Sequence, residues 1–388
     1  MSDHVPADLL GLLASREMVL VCGSGGVGKT TTAAAMAASA AAELGGRVLV
    51  VTVDPARRLA DALGITDIGN SATRVGDEAF AEAGVEPRGE LWVQMLDTKA
   101  GWDELIERHA PDAGVRDAVL SNPLYDNITR RFVHSHDYLA MEQLHELHAS
   151  GQWDLVIVDT PPSRNALDVL DAPGRMKEFF GSRLLRWLTV PYRSRLFTVA
   201  SRPFYQVADR VLGSRFLQDI AEFFILFQAM EGPFVKHAAE VEQLISDPRT
   251  AFVVVSTLEA APSYEAAYLA RALHERSLPL GAIVANRVLP ERFAGKAAAN
   301  SAERLVDASD GELAVAVGEA VDAEPDQVAS VLHEIGSRFA DLRIVATREA
   351  ERRRELSALA DLFVALPMLD RDVNDVADLL ALGEAFVA

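Results

Sequence analysis

"VLVCGSGGVGKTTTAAAMAA", Val19 to Ala38, decides the fold. An apolar, β-branched run breaks into glycines, a lysine and three threonines, then resumes as an alanine-rich stretch. That is the order of a buried strand, a tight loop and a helix. The loop, Gly23-Ser24-Gly25-Gly26-Val27-Gly28-Lys29-Thr30, matches G-x-x-x-x-G-K-[ST] in full. Its glycines let backbone N–H groups surround phosphates, Lys29 reaches the β- and γ-phosphates, and the Thr30 hydroxyl ligates Mg²⁺. Thr31 follows in the first turn of a helix whose positive end faces the anion. ATP and Mg²⁺ are the expected cofactors, at one nucleotide site per chain.

Similar apolar runs recur along the chain. They are Met18–Gly23, Arg47–Asp54, Leu91–Asp97, Asp154–Thr160, Ala251–Thr257, Gly281–Asn286 and Phe363–Leu369. Runs apolar on both faces and separated by helical stretches indicate an α/β fold: a mostly parallel sheet covered by helices on both faces, as in P-loop NTPases. Three stretches interrupt the alternation and read as helical insertions, roughly 102–150, 172–246 and 291–342. No internal repeat is visible, and residues 1–388 read as one ATPase domain.

Ligands of such sheets sit beyond the carboxyl ends of the strands. Two carboxylates stand there: Asp54 in "VTVDPARRLADALG" and Asp159 in "VIVDTPPSRNALDVL". Either could serve as a helix cap. Beside a phosphate loop, however, one can orient the attacking water while the other holds Mg²⁺-bound water. Thr160, Pro161 and Pro162 form a stiff turn that can respond to the γ-phosphate.

The chain has 388 residues, 49% of them hydrophobic, and a net charge of −20. Bulk attraction to nucleic acid is not expected. The single cysteine, Cys22, excludes an intrachain disulfide and reads as a small buried hydrophobe. The first residues lack a basic start and apolar stretch, so no signal peptide is expected. No apolar run approaches about 18 residues. The expected setting is the cytoplasm.

The three motifs together resemble the arsenite-pump and tail-anchored-protein-targeting ATPases, the ArsA type of P-loop NTPase, most of all its single-ATPase-domain form in actinobacteria. The loop, "DPARRLADALG" as switch I and "DTPPSRNALDVL" as switch II carry the match. So does a distal pair, Glu259 in "VVSTLEAAPSYEA" and Asn286 in "AIVANRVLP". The closing segment from Ala365 through Pro367 to Phe386 is similar to the family's last strand, adenine loop and last helix. The resemblance implies a dimer closing around nucleotide. It makes Asp54 the water-activating carboxylate and a further Mg²⁺ candidate, Asp159 the switch II residue near Mg²⁺, and Glu259 and Asn286 nucleotide contacts, with Asn286 reading the adenine.

The departures matter as much. The family's signature lysine, which reaches the partner's nucleotide, is Ser24 here. A homodimer, or a heterodimer with a paralogue that keeps the lysine, follows from the resemblance. Arg57 or Arg164 could restore the missing charge, although surface ion pairs are the stronger reading of both. The thiol ligands of the metalloid and zinc sites have no counterparts, so arsenite coordination through thiolates is not expected.

Within the second insertion, 172–233 is aromatic and its first part, to Arg215, is locally basic. It could pack as ordinary core, present a groove to a hydrophobic protein client, or touch a membrane peripherally. His134, His136, His145 and His148 cluster in "HSHDYLAMEQLHELH". They read as solvated helix histidines rather than a metal site. The functional expectation is an ATP-hydrolysing dimer that handles a protein or membrane-protein client. The alternatives are a nucleotide-dependent binding module with little turnover and the ATPase subunit of an anion-transport complex.

Overall fold

A computed structural model describes residues 6–53, 58–65, 68–96, 100–123, 125, 135–160, 174, 178, 223–226, 229–307 and 312–387. Its centre is a sheet of eight strands: β1 (Met18–Cys22), β2 (Gly46–Thr52), β3 (Thr73–Arg74), β4 (Gly89–Met95), β5 (Leu155–Asp159), β6 (Thr250–Thr257), β7 (Leu280–Val288) and β8 (Phe363–Pro367). The order is β3-β4-β2-β5-β1-β6-β7-β8. All pairs are parallel except β3 with β4. The mostly parallel sheet expected from the sequence is therefore present. β3 was not expected: it is two exposed residues long and carries no apolar signal.

Every residue of β1, β5 and β6 is buried, which explains why these strands read as continuous apolar runs. Alternate residues serve opposite faces. Val19 and Val21 point to one side, where they meet α2 (Lys29–Glu43), α1 (Leu9–Ala14) and α13 (Val376–Gly383). Met18, Leu20 and Cys22 point to the other. That side is covered by α7 (Ser135–Ala149), α8 (Glu231–Ile245), α9 (Ala260–Glu275) and the end of α12 (Pro325–Ser357). The alanines of α2 let it lie close: Ala33 to Ala38 are all fully buried.

The insertions are helical where described. The first holds α5 (Ala100–His109), α6 (Ala113–Leu120) and α7. The second contributes α8; the basic stretch expected to meet a client or membrane falls almost wholly outside the described residues. Phe223 is buried with Trp102, Ile106 and Phe234, so at that position ordinary packing holds. The third comprises α10 (Lys296–Val306), α11 (Glu312–Val321) and α12, which runs to Ser357 rather than ending near residue 342. Among the described residues no helix is long and apolar enough to cross a membrane.

Candidate functional site

The loop leaves β1 at the middle of the sheet, between β5 and β6. Its shape depends on two glycines. A Cβ at Gly23 would run into the carbonyl oxygen of Val255 in β6. Gly28 sits at φ 94°, in the left-handed region, and a Cβ there would strike the Asn286 side chain. Gly28 also precedes α2, and no side chain caps that helix. The first-turn N–H groups and the positive helix end therefore face the loop's concave side. Lys29 is nearly buried, and its Nζ donates to the Ser24 carbonyl oxygen at 2.9 Å. A phosphate oxygen can take that carbonyl's place as acceptor with a small movement of the ammonium.

Asp159 ends β5, directly beside the loop. Its Oδ2 accepts from the Thr30 hydroxyl at 2.7 Å and from the Thr52 hydroxyl at 3.2 Å. Parallel register sets this meeting, because Asp159 pairs with Val21 on β1 and with Thr52 on β2. Asp159 is almost fully buried. The next residue, Thr160, donates its hydroxyl to the Val21 carbonyl oxygen at 2.8 Å and so ties the start of switch II to β1. Thr30 and Asp159 together present hydroxyl and carboxylate oxygens at the loop's edge, the hard donor set that Mg²⁺ selects.

A cavity of about 290 Å³ opens on these residues, with Gly26, Lys29, Thr30, Thr31 and Thr160 in its wall. Two further cations, Arg58 at the start of α3 (Arg58–Leu63) and Arg287 near the end of β7, line it as well. In a chain of net charge −20, a concavity whose cations Lys29, Arg58 and Arg287 outnumber its carboxylate Asp61 favours an anion. Sequence reasoning singled out Arg57 and Arg164 instead, and both lie outside the described residues. Asp54, the carboxylate expected to orient water, also lies outside them. Arg287 adjoins Asn286 near the end of β7, and its φ is 57°.

The distal pair separates. Asn286 is buried beneath the loop, where its Nδ2 donates to the Val27 carbonyl oxygen at 2.9 Å and its Oδ1 accepts from the Arg287 N–H at 2.9 Å. Glu259 is exposed at the start of α9 and makes no capping bond. It stands near Glu349 of α12, whose carboxyl is raised above the usual range by burial first and by Glu259 in part. Pro367 is the exposed last residue of β8. The loop after it is organised by Asp378, which is bonded by the Arg371 guanidinium and the Asn374 N–H. That loop supplies Val373 to the cavity wall.

Cys22 lies behind the loop, buried as expected. Burial pushes its thiol pKa up to about 12, against the lowering effect of a hydrogen bond from Thr160. The two histidines of the cluster whose side chains are described, His145 and His148, are half-buried rather than solvated. His148 Nε2 lies 2.8 Å from Glu17 Oε2, and His145 is held below the usual imidazole pKa, chiefly by burial. His134 and the side chain of His136 lie outside the described residues. The periodicity of one helix could not show this, since the partners come from other elements.

Residues 16–306 match the sequence profile of the family described as "Anion-transporting ATPase". The chain is 29% identical to ATPase get3 of Schizosaccharomyces pombe over 182 residues, 46% of this chain and 50% of that protein. It is 30% identical to an uncharacterized protein of Streptomyces coelicolor over 274 residues, 70% of this chain and 63% of that one. A putative arsenical pump-driving ATPase of Halobacterium salinarum is 30% identical over 186 residues, 46% of this chain and 27% of that protein. The chain thus spans about half to two thirds of the length of the first two relatives.

Proposed function

The chain belongs to the anion-transporting ATPase family, and on that premise we propose that it hydrolyses Mg²⁺–ATP and couples the cycle to a change in its association state. The observation that supports this most is the Thr30–Asp159 pair set against Lys29 at the N-terminus of α2. Backbone N–H groups of the glycine loop hold the phosphates. Lys29 exchanges the Ser24 carbonyl for a phosphate oxygen. Thr30 and Asp159 would hold Mg²⁺, which when bound neutralises charge developing on the β- and γ-phosphates. Asp54 is assigned the water-orienting role by family resemblance. Arg58 and Arg287 supply further positive charge at the rim.

The proposal takes residues 1–388 as one ATPase domain with helical insertions, acting in the cytoplasm. It pairs the chain with a second copy or with a paralogue that keeps the lysine replaced here by Ser24. The output is the handling of a hydrophobic protein or membrane-protein client, with the 172–233 segment as the contact region. Ser24 also favours a second reading, a binding module with little turnover, because a short neutral side chain cannot carry charge across a dimer.

The test is phosphate release by the purified full chain with Mg²⁺–ATP, alongside native mass measurement with and without a non-hydrolysable ATP analogue. Turnover that falls by at least about 10²-fold in Lys29→Ala, the scale of losing one preorganised donor, together with an analogue-dependent mass increase, is the expected result. Tight nucleotide binding with no turnover would replace the enzyme reading by the module. A mass that ignores nucleotide would remove the association cycle.

A further inference from the structure

Away from the phosphate cavity, five titratable side chains from three helices meet on the side of the sheet that carries the helical insertions. His109 ends α5, Glu142 and His145 project from α7, and His237 and Glu240 from α8. Glu142 is 1% exposed and His109 is 6% exposed. A carboxylate that deep must be paired or must bind a cation.

One hydrogen bond accounts for part of the arrangement. His109 Nε2 lies 3.4 Å from Glu142 Oε1. It does not account for His237. His237 Nδ1 is only 2.8 Å from the same oxygen, yet it is a buried nitrogen without a hydrogen-bond partner among the described residues. The atoms are close, but the ring nitrogen is not aimed at the oxygen. Donor atoms that crowd together without pointing at one another are what a shared central ion requires. The three atoms lie within 4.8 Å of one another. A tetrahedral zinc with bonds of about 2.0–2.2 Å holds its ligand atoms ~3.3 Å apart. The observed 3.4 and 2.8 Å edges bracket that value.

We propose that His109 Nε2, Glu142 Oε1 and His237 Nδ1 form a site for a divalent transition metal of the zinc class, with water as the fourth ligand. Two imidazoles and a carboxylate are a donor set suited to such ions. The His237 side chain is 25% exposed, which gives the ion a way in. His145, His237 and Glu240 form a neighbouring set that shares His237. It is the weaker one, because the Lys236 ammonium lies 3.6 Å from Glu240 and competes for its charge. An ion at the first set would clip α5, α7 and α8 together. It would thereby brace the helices that lead into β5 and out of the 172–233 segment.

The experiment titrates the metal-stripped full chain with Co²⁺ in the absence of nucleotide, followed by Zn²⁺. The expected result is stoichiometric binding with an intense tetrahedral visible band that Zn²⁺ abolishes, and a melting temperature raised by Zn²⁺. Glu142→Gln, nearly isosteric, and His237→Ala, at a partly exposed position, should each weaken binding by more than the about 10–100-fold that loss of a second-shell partner costs. His148→Ala, on the same helix but facing Glu17, should leave affinity unchanged. Absence of the band, or equal Zn²⁺ stabilisation of wild type and His237→Ala, would overturn the proposal.

Discussion

Asn286→Ala should weaken binding of inorganic tripolyphosphate as much as it weakens binding of ATP. In the structure the Asn286 amide holds the Val27 carbonyl from beneath the loop at 2.9 Å, in a buried position. Truncation leaves that carbonyl without its partner and opens the space against which Gly28 is fitted. A buried polar group left unsatisfied costs about 1–3 kcal/mol. The loop would spend that energy by sampling shapes that do not bind phosphate, so the whole penalty is the ceiling on the loss of affinity. At 25 °C it corresponds to about 5- to 150-fold in Kd. Calorimetric titration with ATP, ADP and tripolyphosphate separates two roles for the same residue. A brace acts on the phosphates and lowers all three affinities together. A base reader acts on adenine and leaves tripolyphosphate untouched. Unchanged tripolyphosphate binding beside weakened ATP binding would refute the brace and restore the adenine contact implied by family resemblance.

Arg58→Ala and Arg287→Ala should each raise the Kd for ATP by about 2- to 5-fold at low salt, and by less at high salt, as expected of solvent-accessible charges; a salt response identical to wild type would count against their facing the anion. Asp247 accepts from the Arg249 side chain and N–H, and the side-chain bond does most to pull its pKa down to about 2. A depressed carboxyl stabilises the fold above its unfolded value of about 3.9, and that contribution disappears as pH falls toward 2. Asp247→Asn should therefore cost at most about 1 kcal/mol near neutral pH, since the pair is largely exposed, with the difference from wild type vanishing near pH 2 in urea melts. Cys22, with its thiol at about 12, is about 10⁻⁴ thiolate at pH 8, so a thiol reagent should label it only as fast as the protein unfolds; rapid labelling of the native chain would contradict its burial.

The phosphate loop was legible because its chemistry is contained in eight consecutive residues. The central strands were legible because burial on both faces leaves an unbroken apolar signal. What joins Thr30 to Asp159 is not local: the residues are 129 apart and meet through the pairing of β1 with β5. The motif suggested both, but only topology put one hydroxyl on one carboxylate. The same limit hid Arg58 and Arg287, whose value lies in sharing a cavity wall. It hid the Glu142 cluster too, because His109 and His237 belong to helices on either side of α7 in the sequence.

The long helix α12 shows how composition can mislead about role. The sequence reading ended the helical insertion near residue 342, yet the helix runs on to Ser357 and its last third returns to the sheet. Arg352 donates to the Leu258 carbonyl at 2.7 Å, Glu349 accepts from the Leu289 N–H at 3.0 Å, and Arg353 pairs with Glu291. Leu258 and Leu289 lie just beyond β6 and β7, so these charges act as caps for the two strand ends nearest Glu259 and Asn286. Charged residues kept the helix going through "REAERRREL", since arginine and glutamate are strong helix formers. The same residues then satisfied backbone groups that no strand could reach. A charge run on a helix is usually a solvated face. Here the last third of the helix also meets the loops that follow β6 and β7, and at those loops polar side chains are what the docking surface requires.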